Sequence, residues 1–215
     1  MSPLDKLDDK LQEIKSQKSA ILRDAKSLKA ELTRRMTTAN FLSRVNEISD
    51  AYGFQLVNTA RSGFYKEAYL AARFAPWRGA SHVWLNDSDP PDFWVEVDKV
   101  ALSFEATEVL RPDRRRDHEL QLIMETEEVQ HDPVGNWLSV DENIKLLNDA
   151  VQTKSADRYL HVHGLILYLN TGWIDHTGPI LDGIEAVVNT FREKVLDTHY
   201  QEIWLACSNA CERIR

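Results

Sequence analysis

The chain has 215 residues, 43% of them hydrophobic and 28% charged, which is enough for a globular domain of about 150 residues plus an appendage, without staples. A net charge of −8 and a pI near 5.4 argue against holding nucleic acid by bulk electrostatics, so any phosphate contact has to be local. Cys207 and Cys211 form neither a disulfide framework nor a CxxC site, no apolar run approaches about 18 residues, and the N-terminus opens into charged residues, so a cytoplasmic protein is expected.

Leu4, Leu7, Leu11, Ile14, Lys18, Ile21, Ala25, Leu28 and Leu32 recur at alternating spacings of three and four, with charged or polar residues filling most of the gaps. This heptad seam predicts a long N-terminal helix of coiled-coil character, an arm over residues 1–36 preceding an α/β domain over 37–215. So narrow a stripe has to be buried against another helix. That helix belongs either to a second copy, making a homodimer, or to the chain's own next segment. Lys18 inside the seam favours a specified two-helix pairing.

Thr37 and Thr38 can cap a helix over 39–52, with Phe41, Leu42, Val45 and Ile48 on one face and Gly53 as its stop. A short strand is expected at 54–58 and a helix at 64–74. Extended structure begins at 81. Beyond the loop 86–91, whose two prolines forbid a regular central strand, Phe93–Val97 and Ala101–Val109 form a hairpin turned at Asp98-Lys99. A polar helix over 114–128 and a loop over 129–138 follow. Ser139, with Glu142 completing a capping box, starts a helix that runs to about 156. Val162–Leu169 reads as a strand covered on both faces. Loop 170–179, a helix over 180–196 and a strand over 202–207 complete an α/β architecture, a mixed β-sheet flanked by helices.

The hairpin register brings Asp92 beside Glu105. Two carboxylates so placed repel unless a hard cation lies between them, and oxygen-only ligation suits Mg²⁺ or Mn²⁺. The plainer reading has Asp92 capping the loop and Glu105 on a polar sheet face. Arg111, Arg114, Arg115 and Arg116 are the local candidates for a phosphate backbone, or simply a solvated run opening a helix. His161 and His163 share a strand face without a third ligand, and Asp175 with His176 lies in an ordinary loop.

Pro91-Asp92-Phe93, then Phe104-Glu105-Ala106-Thr107-Glu108, a helix and the apolar strand 162–169 resemble the PD-(D/E)XK nuclease-like superfamily over roughly residues 39–170. The resemblance implies a restriction-endonuclease-like core and a metal held by Asp92, Glu105 and the backbone carbonyl of Ala106. It also implies a lysine that orients the attacking water, but the usual lysine position is Thr107. In parts of the superfamily that lysine comes from the following helix, and Lys154 is similar to that arrangement; Lys145, two and a half turns earlier, points away. An early-helix carboxylate sometimes joins such sites, and Glu47 or Glu67 is available; Glu119 and Gln121 are expected at the surface.

Two functions are expected from this. One is a metal-dependent endonuclease cutting DNA or RNA phosphodiesters, with catalytic Asp92, Glu105 and Lys154. The other is a catalytically inactive protein of the same fold, a scaffold recruited through its N-terminal helix.

Overall fold

The computed structural model describes residues 3–52, 63–110, 138–170, 180–207 and 210–215. Among these the fold is α/β, with helices and seven strands that lie in chain order in one mixed sheet. The chain forms two compact units, Met1–Leu102 and Ser103–Arg215. No helix among the described residues is long and apolar enough to cross a membrane.

The first unit contains α1 (Pro3–Leu32), β1 (Met36–Thr37), α2 (Thr38–Tyr52), α3 (Gly63–Trp77), β2 (His82–Leu85) and β3 (Phe93–Val97). The second half of the heptad seam is satisfied inside this unit. Ile21, Ala25, Leu28 and Leu32 are buried, on the helix that packs against α2, α3 and β2. Arg44 grips Glu31 through two bonds of 2.9 Å, and the Tyr52 hydroxyl donates to Asp24 at 3.0 Å. Later residues of α2 thus meet earlier residues of α1, which makes the two an antiparallel helical hairpin. Burying Ile21, Leu28 and Leu32 is worth about 1.5–3 kcal/mol each.

Thr37 caps α2 as expected, its hydroxyl accepting from the Asn40 amide at 3.3 Å. In α3, Ala68, Ala71, Ala72 and Ala75 form a small-residue face that lets the helix sit close to the sheet. Phe74 meets the ring of Phe93 edge-on at 6.1 Å. Strands β1, β2 and β3 are antiparallel neighbours, with Val83 opposite Val95 and Leu85 opposite Phe93, all four buried on one face. Asp98 and Lys99 have positive φ values of 50° and 68°, the pair of left-handed conformations that a two-residue hairpin turn demands.

Strand β4 (Val100–Leu110) starts in the first unit and continues through the second. The second unit adds α4 (Val140–Thr153), a 3-10 turn at Asp157–Tyr159, β5 (Gly164–Asn170), α5 (Ile180–Lys194), β6 (Glu202–Cys207) and β7 (Ala210–Arg213). Strands β4, β5 and β6 are parallel, and β7 returns antiparallel to β6. Parallel neighbours need crossovers, and α5 supplies the one between β5 and β6. Leu147 and Val151 of α4, Phe191 of α5, Leu165 and Leu167 of β5, and Ile203 and Leu205 of β6 share one core. Ile166, on the opposite face of β5, is also buried, as a strand covered on both sides requires.

The capping box at Ser139 is present, with both reciprocal bonds to Glu142. Strands β1 and β7 were not expected from the sequence. The expected strand at 54–58, helix at 114–128 and loops at 129–137 and 171–179 lie outside the described residues.

Candidate functional site

The site is built on Glu105. In the parallel register Glu105 stands opposite Leu165 and Thr107 opposite Leu167, so both point to the face that α4 and α5 cover. Glu105 is 1% exposed. A carboxylate this deep is costly without a compensating charge. Lys154, the C-cap residue of α4, provides it, with Nζ 2.6 Å from Glu105 Oε1.

Lys154 is held at several points. Its amide donates to Ala150 O at 3.0 Å, its carbonyl accepts from the Tyr200 hydroxyl, and its Nζ donates to the Tyr159 hydroxyl at 3.3 Å. The ammonium also stands 5.1 Å from the Tyr159 ring centroid. Burial pulls its pKa down, but the hydrogen bond and charge of Glu105, with help from Tyr159, more than offset this and leave it above the ordinary 10.5. Lys154 is therefore a fixed cation at neutral pH. It can donate hydrogen bonds but cannot take up a proton. Lys145, by contrast, is exposed.

Asp92 ends the loop before β3, and its carbonyl accepts from the Asn86 amide at 2.9 Å, closing that loop. Asp89 is exposed and Asp92 half-buried.

As carboxylates, Asp92 and Glu105 offer oxygen ligands of the kind a hard divalent cation takes. A carboxylate has two oxygens, so Glu105 can hold Lys154 through Oε1 and still serve as a ligand.

Ala106 follows Glu105 in β4, opposite Ile166. Glu47 is exposed and accepts from Arg44 at 3.0 Å, and Glu67 lies on α3. His161 is exposed, and His163 Nε2 lies 3.4 Å from Glu202 Oε1, so the two histidines do not form a metal pair. Arg111, Arg114, Arg115, Arg116, Glu119, Gln121, Asp175 and His176 lie outside the described residues. Sequence reasoning missed Arg158, Tyr159 and Tyr200, the residues around Lys154.

Compared with known proteins, the chain matches no family model, no curated protein and no solved structure.

Proposed function

We propose that the chain is a metal-dependent nuclease-like protein that hydrolyses nucleic-acid phosphodiester bonds. The observation that supports this most is Lys154 bonded to the buried Glu105 at 2.6 Å. A restriction-endonuclease-like core puts an acid and an amine in this relation. Thr107 explains why the amine comes from elsewhere: Glu105 and Thr107 share a strand face, and α4 covers that same face, so its C-terminal lysine approaches from the side a lysine at 107 would occupy.

In this reading Asp92, Glu105 and the Ala106 carbonyl would hold Mg²⁺ or Mn²⁺. A bound ion of this kind supplies a water of lowered pKa and offsets charge building on the phosphate. Lys154, fixed as an ammonium, donates to the attacking water and orients it. Proton removal falls to another group, because Lys154 is already protonated. Arg114, Arg115 and Arg116 would meet the phosphate backbone. The first half of the heptad seam, Leu4 to Ile14, would pair with a second copy in a homodimer, which suits cutting two strands.

The second reading is an inactive scaffold of the same build. It is favoured by Thr107 in the lysine position and by the net charge of −8. Cleavage assays on single- and double-stranded DNA and RNA with Mn²⁺ separate the two. Nicking by the wild type that disappears in Glu105→Gln, with folding intact by circular dichroism, supports the first. No cleavage of any substrate by the wild type would select the second.

A further inference from the structure

We infer that Arg158, Tyr159 and Lys154 form an oxyanion site that receives one phosphate of a nucleic-acid strand, next to Glu105. Its placement rests on the nuclease-like reading, but its evidence is separate. Tyr159 is 1% exposed, and its carbonyl is tied to His199 Nε2 at 2.8 Å, so the ring is fixed. Its hydroxyl takes Lys154 Nζ at 3.3 Å and an amine of Arg158, whose guanidinium carbon lies 4.5 Å from the ring centroid. Lysine and arginine only donate, so both acceptor positions of the hydroxyl are in use and its own proton is left without an acceptor among the described residues.

A nearly buried hydroxyl whose proton has nowhere to go is costly, and an anion removes that cost. The charges lead to the same conclusion. Lys154 is balanced by Glu105, whereas exposed Arg158 makes no ion pair among the described residues, in a chain of net charge −8. A guanidinium laid over an aromatic ring and pinned by its hydroxyl is set in position before a ligand arrives. Ammonium, phenol and guanidinium thus present donors around one small volume, the arrangement that a phosphate oxygen accepts.

The test uses the full chain and a fluorescein-labelled single-stranded DNA 12-mer in Ca²⁺, with affinity followed by anisotropy across a salt series. Arg158→Ala is expected to weaken binding about tenfold and to lower the salt slope by about one. Tyr159→Phe keeps the ring and is expected to weaken binding by a smaller factor. Unchanged affinity in both variants, or no DNA binding by the wild type, would overturn the proposal. Inorganic phosphate is titrated alongside: if it binds the wild type while the DNA does not, the assignment to a strand phosphate is overturned. Mn²⁺ calorimetry on the same samples keeps the two readings apart. Loss of DNA affinity in Arg158→Ala supports the oxyanion site even where the wild type takes up no Mn²⁺, a result that would remove the metal reading alone.

Discussion

Two carboxylate and cation pairs stand on strands of the sheet and behave differently. In the first unit Glu96 of β3 takes two bonds from one Arg35 amine, at 2.7 and 2.8 Å, with His82 at 3.2 Å and the Ser81 hydroxyl at 3.3 Å also in reach. In the second unit Glu105 of β4, 1% exposed, is bonded to the ammonium of Lys154. The Arg35 side chain is 50% exposed and that of Lys154 19%. The first arrangement surrounds one acid with donors near water, as a structural ion pair does. The second sets a buried acid against a single ammonium away from water, where breaking the pair is costly.

The largest expected effect comes from breaking the buried pair. Lys154→Met leaves Glu105 without its ammonium, and chemical denaturation should show a loss of about 3–5 kcal/mol. A loss below about 1 kcal/mol would mean that Glu105 is compensated by other groups. The pH dependence follows from the raised lysine pKa: the pair's contribution is complete below the unfolded value of 10.5 and is lost only as pH rises through the higher folded value.

The next effect sharpens the comparison by moving the strand beneath Glu105. A Cβ at Gly164 would stand 2.7 Å from Cδ1 of the fully buried Phe104, so the ring would have to shift. Gly164→Ala should therefore cost about 1–3 kcal/mol by thermal or urea unfolding. A neutral result would show that the ring can shift.

The smallest effect is expected at the exposed pair. Arg35→Ala should change stability little at neutral pH, and less still in high salt. Glu96 is held below the ordinary 4.5, first by the Arg35 hydrogen bonds, so the pair's contribution is present above 4.5 and fades as pH falls through the lower folded value. Unfolding curves across acid and alkaline pH would thus separate the two pairs by opposite ends of the scale.

The parts of the fold that could be read from the sequence depend on neighbouring residues. The Ser139 and Glu142 box, the Asp98-Lys99 turn and the apolar run of β5 carry their instructions within a few positions, and the structure follows them. Strands β1 and β7, of two and four residues, were too short to stand out against their surroundings. The seam of α1 is a different case. Its spacing states that a partner helix is needed but not whose, and only tertiary packing places Ile21, Ala25, Leu28 and Leu32 inside the chain's own first unit. At the candidate site, Lys154 beside Glu105 was legible because it ends a helix of readable length. Arg158 and Tyr159 depended on where the chain turns after α4, which hydrophobic periodicity does not record.

The central proposal is that Asp92 and Glu105 hold a divalent cation, and titration calorimetry with Mn²⁺ tests it most directly. The wild-type chain should show a single saturable site. Asp92→Asn, a half-buried and isosteric change, should abolish it without altering the fold. No binding heat in the wild type, or an unchanged site in Asp92→Asn, would contradict the claim.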